Sequence, residues 1–211
     1  VIDEVRRCVD ELGFVGVNLN PDPTGGRWSD PPLWDKDWWY PLYEALVRWN
    51  IPAMIHVSGS CNPHFNAVAT HYINGDTTAF VQFLTSDIFK DFPTLKIVCS
   101  HGGGAIPYQW GRFEASAIRR NLQRFSERLR NLYYDTVLYN KESLELLIKT
   151  VGADRCMFGT ERPGVGTVKD PRTGRWLDET RYIIEDFGWL SDADKKMIFE
   201  DTAKKVFKIN V

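Results

Sequence analysis

The stretch LKIVCSHGGGAIPYQWGR, residues 95–112, runs from an apolar segment through a histidine and three glycines into a segment that opens near a proline. Ile97, Val98 and Cys99 are residue types of a buried strand. Pro107 suits the first turn of a helix, where its missing N–H breaks no hydrogen bond. The segment reads as strand, tight turn and helix, with the imidazole of His101 held at the rim where the strand ends.

The same unit recurs along the chain. FVGVNLN (14–20), PAMIHVSG (52–59), NLYYDTV (131–137) and RCMFGTE (155–161) are further strand-like runs. Helices are predicted around 41–49 with a stop at Asn50, over TTAFVQFLTSDIF with Asp76 as N-cap, and over KESLELLIKTVG. Two more are expected at roughly 178–187 and 192–207, the second opened by Ser191 and Asp194 in capping-box spacing.

Five strands each followed by a helix predict a parallel α/β protein. Polar residues gather where the strands end: Asn18 and Asn20, then His56, His101, Asp135 and Glu161. A (β/α)8 TIM-like barrel collects its active site at that rim. A doubly wound sheet would carry a G-x-G-x-x-G turn after its first strand, and FVGVNLN is followed by none. The opening VIDEVRRCVDELG has no initiator methionine and starts within a helical pattern of Ile2, Val5, Val9 and Leu12, stopped by Gly13. The expectation is one partial barrel domain over residues 1–211, with about five βα units present and about three strands missing upstream.

At 211 residues and 24.3 kDa the chain suits a single core. A net charge of −2 gives no reason to expect nucleic acid or a membrane surface as partner. The basic run RRNLQRFSERLR (119–130) reads as the solvated face of a helix. Cys8, Cys61, Cys99 and Cys156 form no C-x-x-C pair, and the last two sit in apolar runs, which fits a reducing cytoplasm. No run of 18 apolar residues and no signal peptide is visible.

Three chemistries would use a histidine followed by glycines. An esterase oxyanion hole also follows a strand with H-G-G-G, but it demands a later G-x-S-x-G elbow and a later histidine. Neither follows, since His101 is the last histidine in the chain. A phosphate cradle would want lysine in G-K-[ST] spacing, and Pro107 removes one of its N–H groups. A metal site remains: imidazole and carboxylate are ligands of a borderline divalent cation, and His56 and Glu161 end separate strands of one barrel mouth. A strand-end histidine is also what a hydrogen-bonded structural residue looks like, and only the agreement of several strand ends favours a site.

HVSGSCNPHF…THYINGDTTAF, FPTLKIVCSHGGGAIPYQWGR, CMFGTE and DPRTG together resemble the 4-oxalomesaconate hydratases. These stand in the branch of the amidohydrolase superfamily that includes metal-dependent decarboxylases of aromatic catabolism. The likeness runs from about residue 13 to the end. It implies a distorted barrel of the metal-dependent hydrolase type holding one divalent ion, zinc. His56 and Glu161 would be ligands, and the partner ligands would come from an H-x-H motif that this sequence lacks. A missing portion of roughly a hundred residues would account for that.

The resemblance implies addition of water to the C=C of 4-oxalomesaconate, giving 4-carboxy-4-hydroxy-2-oxoadipate, in bacterial aromatic breakdown. Glu161 would also move protons, Tyr72 would be a proton donor, and His101 would face the substrate, with the glycines making room for it. Arg112 would grip a carboxylate, and Ser58 and Asn62 would add polar contacts. His64 and His71 are expected to support rather than ligate. A decarboxylase on the same barrel, or an inactive fragment lacking half the metal site, are the alternatives. A small tricarboxylate substrate and a homo-oligomer are expected, with Trp28, Trp34, Trp38 and Trp39 covering the site or forming a subunit contact.

Overall fold

The computed structural model describes residues 1–27, 29–62, 64 and 67–209. Trp28 of the tryptophan loop lies outside the described residues. The elements are α1 (Ile2–Asp10), β1 (Val17–Leu19), α2 (Tyr40–Trp49), β2 (Ala53–Ile55), α3 (Tyr72–Thr85), α4 (Ile88–Asp91), β3 (Ile97–Cys99) and α5 (Ile106–Arg119). They continue with α6 (Phe125–Arg128), β4 (Leu132–Asp135), α7 (Lys141–Val151), β5 (Cys156–Met157), α8 (Arg181–Glu185), α9 (Asp192–Lys196) and α10 (Thr202–Phe207).

The five strands are parallel and lie side by side in chain order, with Leu19, Ile55, Cys99 and Tyr134 in one row across the sheet. An order that never reverses is that of a barrel wall; a doubly wound sheet turns back at a switch point. Each strand is shorter than its apolar run suggests. Phe14 and Val15, placed in the first strand by their side chains, lie exposed ahead of it. Propensity marks where a strand can form, and the ladder partner sets where it ends.

Both faces of the central strands are buried. Ala53, Ile55, Ile97, Cys99, Leu132 and Tyr134 pack outward against the helices. Val98, Tyr133 and Met157 face the other way, against Val206 of α10, with Met54 and Phe207 beside them. This two-sided burial explains why the runs read as continuous rather than alternating. On α7, Leu144, Leu147, Ile148 and Val151 form the buried stripe and the Asn140 side chain accepts from Ser143 N. Asn50 ends α2 in left-handed geometry, and Ser191 and Asp194 form the expected capping box.

Three expectations need correction. Asp76 does not cap a helix: it lies inside α3, fully buried, because the turn Ala67–His71 already winds the chain into that helix. Gly75 permits this, since a Cβ there would come within 2.9 Å of Val57. The basic run 119–130 is not one helical face; it spans the end of α5, a turn and α6, and Arg128 donates to Leu84 O and Ser86 O. On α1 only Val5 is buried, while Ile2, and Leu12 in the turn past the helix, are exposed. Among the described residues no helix is long and apolar enough to cross a membrane.

The triple glycine is also corrected. Gly102, Gly103 and Gly104 all have positive φ, and added Cβ atoms would meet Leu138, Tyr134 and Thr77. The glycines make room for the protein's own packing. At Gly104 the Cβ would sit 2.4 Å from Thr77 Oγ1. Gly104→Ala is therefore expected to cost about 2 kcal/mol or more in urea unfolding, from left-handed strain plus overlap.

Candidate active site

The carboxyl ends of β2 and β3 deliver His56 and His101 one residue or two beyond each strand, and the segment after β5 delivers Glu161. All three line one cavity of about 330 Å³, together with Asp135 and the apolar Val98, Met157 and Phe158. The two imidazole centroids are 4.9 Å apart. Tyr72, at the start of α3, presents its ring to His56 at 5.0 Å and lies nearly parallel to His101 at 6.5 Å.

His101 is held by a residue hidden from the motif reading. Asp76 Oδ2 accepts from His101 Nδ1 at 2.7 Å and from Ser100 Oγ at 2.7 Å, and its Oδ1 accepts from Val57 N at 2.8 Å. Nδ1 is thereby the donor, and Nε2 points to Glu161 Oε1 at 3.9 Å, too far for a direct hydrogen bond. Burial pulls the His101 pKa down, but the hydrogen bond and charge of Asp76, aided by Asp135 and Glu161, leave it raised above 6.5. The cationic form is thereby held more firmly than in a free imidazole. Continuing the α3 helix backward from Ala79, Phe80 and Phe83 would have placed Asp76 on their buried face, a signal present in the sequence.

His56 is oriented otherwise. Its Nδ1 donates to Val57 O at 2.7 Å, so Nε2 keeps a free lone pair. Asn20 Nδ2 donates to His56 O at 2.8 Å, which explains the polar residue at the end of β1. Asp135 accepts from the backbone N–H groups of His101, Gly102 and Val137, and burial raises its pKa to about 6 against those bonds. Its oxygens are occupied holding the glycine turn. Glu161 accepts a short hydrogen bond from Tyr139, a second group the sequence reading did not single out. Burial, then that bond, pushes the Tyr139 hydroxyl pKa well up.

The remaining candidates sit apart from the cavity lining. Ser58 donates through Oγ to Asp22 O and through N to Asp22 Oδ1, both at 2.7 Å. Asn62 closes a local turn by accepting from His64 N, and His71 Nε2 meets Ser58 O at 3.1 Å. These bonds tie the loop to itself and to Asp22. Arg112 is exposed on α5 and has no hydrogen-bond or ion-pair partner among the described residues.

The lone pair of His56 and the carboxylate of Glu161 are the right donors for a divalent cation and open on one cavity. They fit in kind but not in number. Among the described residues no group of three or more histidine, cysteine or acidic side chains is placed to hold a metal. Two ligands fall short of a catalytic shell, which uses about three protein groups.

A parallel barrel wall with histidines and carboxylates converging beyond its strand ends defines a metal-dependent hydrolase type of barrel. The chain belongs to the amidohydrolase family, whose profile matches residues 1–209. It is 44% identical over 207 residues to the 2-keto-4-carboxy-3-hexenedioate hydratase of Sphingobium sp. (strain NBRC 103272 / SYK-6), covering 98% of this chain and 60% of that protein. A gamma-resorcylate decarboxylase of Polaromonas sp. (strain JS666 / ATCC BAA-500) is 27% identical over 228 residues, 98% of this chain and 66% of that protein. Among solved structures, the 4-oxalomesaconate hydratase LigJ of Rhodopseudomonas palustris superposes with a TM-score of 0.88 at 43% identity, over 98% of this chain and 60% of that one. The 5-carboxyvanillate decarboxylase of Novosphingobium aromaticivorans DSM 12444, in complex with manganese, shares the fold at a TM-score of 0.76 and 23% identity, over 99% and 60%. The chain thus spans 60% of the length of the two hydratases.

The Asp76–His101 pair makes a testable contribution to stability. Because the folded His101 pKa is raised above 6.5, the pair's stabilisation is full below that value and is lost as pH rises through the folded pKa. In chelator-treated protein, Asp76→Asn is expected to cost about 3 kcal/mol near pH 6 and markedly less near pH 9, read by urea unfolding.

Proposed function

We propose that this chain carries the proton-transfer half of a hydratase site, adding water across an activated C=C of an unsaturated keto-tricarboxylate. The observation that carries this reading is the convergence of His56, His101 and Glu161 on one cavity. The 44% identity to a hydratase, against 27% to a decarboxylase, supports the reaction class. Glutamate rather than aspartate at the last strand end leans the same way.

The names of the two hydratases differ in where the double bond stands. In a 2-keto-3-hexenedioate the C3=C4 bond is conjugated with the C2 ketone. Water oxygen can then bond to C4 while the alkene electron pair moves onto the ketone oxygen as an enolate. The enolate returns its pair to C3, which takes up a proton, and no redox partner is needed. A 4-oxalomesaconate skeleton offers only carboxylates as electron sinks, so the 3-ene isomer is the better fit for the reacting form.

Glu161 accepts the proton from water, and Tyr139 steadies its far oxygen. The cationic His101 directs Nε2–H at the developing enolate or a carboxylate through the 3.9 Å gap to Glu161. Tyr72 supplies the proton to carbon. Arg112, exposed and unpartnered among the described residues, offers a fork to a substrate carboxylate arriving over α5. His56 and Glu161 would hold a divalent cation together with donors from outside this set. That cation would supply the Lewis acidity that makes water nucleophilic near neutral pH, and zinc is the expected ion. The free cysteines, two of them buried, favour a reducing cytoplasm, and the exposed indoles of Trp34 and Trp38 favour a contact between subunits.

In a protein with the complete site, Glu161→Gln should abolish hydration, assayed by loss of conjugated absorbance, while circular dichroism stays unchanged. Near-normal turnover would remove Glu161 from the mechanism, and release of CO₂ would replace the hydratase by a decarboxylase. Metal analysis of the 211-residue chain is expected to show weak, substoichiometric zinc or manganese, as two ligands dictate.

A further inference from the structure

At the opposite end of the sheet, the residues that lead into β2, β3, β4 and β5 line a second cavity of about 780 Å³. Lys96, Arg130, Arg155, Lys205 and Lys208 surround it, and no carboxylate lines it. Among the described residues Asp154 is the one acid paired with them, 2.7 Å from Arg130 Nη2 and 3.7 Å from Arg155 Nε. Among the described residues, five cations against one carboxylate leave a surplus of four positive charges, in a chain whose net charge is −2.

Three of these cations are anchored by the protein: Lys96, Arg130 and Arg155. Lys96 Nζ donates to Val206 O at 3.1 Å, and Arg130 Nη1 donates to Val151 O at 2.7 Å. The Arg155 guanidinium lies over the Tyr133 ring at 5.0 Å, and its buried Nε has no hydrogen-bond partner. Burial lowers the Lys96 pKa, and Lys208 and Lys205 lower it further, as expected where like charges meet without a counter-ion. Lys205 and Lys208 are exposed and have no ion-pair partner among the described residues. Proteins ordinarily intersperse charges of both signs, and a concave surface of one sign concentrates counter-ions.

We propose that this cavity is a binding site for a polyphosphate-bearing small molecule, remote from the candidate active site. A triphosphate brings about four negative charges at neutral pH, which matches the surplus. Three ammonium groups are compact point charges suited to tetrahedral phosphate oxygens, and the guanidiniums add forked donors. Val47, Phe89 and Tyr133 provide an apolar wall for an organic body. The site stands independently of the reaction assigned above.

Isothermal titration of the 211-residue chain with inorganic tripolyphosphate, at constant ionic strength, tests it. Saturable one-to-one binding is expected. The double variant Lys205→Gln/Lys208→Asn removes two exposed charges, and asparagine tolerates the positive φ at position 208. It should weaken binding by roughly tenfold or more, as two charges lie within a Debye length of the ligand. No saturable binding, or equal affinity in the variant, would overturn the site. Citrate binding as tightly as tripolyphosphate, with the same loss in the variant, would overturn the assignment to phosphate.

Discussion

The carboxylate of Asp76, fully buried in α3, is the constraint from which the rest of the site follows. A buried carboxylate is costly unless each oxygen is hydrogen-bonded and its charge is met. Here Oδ1 takes the peptide N–H just past β2, and Oδ2 takes a hydroxyl and an imidazole just past β3. One side chain thus ties a helix to two strand ends. Among the described residues the imidazole is the one ionisable partner of that carboxylate, so His101 donates through Nδ1 and its other nitrogen faces the cavity. The direction of this imidazole is fixed by a desolvation problem that lies behind it.

The second buried acid solves a different problem. Three successive glycines with positive φ would be a soft hinge in isolation. Asp135 accepts from the N–H groups of His101 and Gly102 and so fastens the turn to the end of β4. With Asp76 holding the ring and Asp135 the backbone, His101 is located by two independent anchors. Glu161, bonded to Tyr139 from a third loop, completes a rim whose members are each positioned by a residue outside the cavity chemistry.

Fold class was legible because parallel strands bury both faces and leave their polar residues to the ends; the run of His56, His101, Asp135 and Glu161 carried that information. Strand lengths were not, since ladder partners and not propensity cut FVGVNLN down to Val17–Leu19. Asp76 was misread because an acid before a helical run fits an N-cap, and only the register of the preceding turn shows that the helix had begun. The bonds of Ser58 were hidden for the converse reason: a polar residue after a strand-end histidine looks free, and its partner Asp22 lies 36 residues away in sequence. The basic cavity left no trace in any window, because positions 96, 130, 155, 205 and 208 meet only once the topology is known.

That cavity and the candidate active site are two consequences of one arrangement. Parallel strands send their carboxyl ends to one side, and the returning helices point their own carboxyl ends to the other. Helix ends with bare carbonyls carry partial negative charge and draw cations, which accounts for Lys96 on Val206 O at the end of α10 and Arg130 on Val151 O at the end of α7. The same rule puts Arg128 on Leu84 O at the end of α3. It does not account for Arg155, Lys205 or Lys208, whose side chains have no hydrogen bond to a helix carbonyl among the described residues. Capping explains why this side of the sheet is basic at all; the three cations left over are what makes it a place for a ligand.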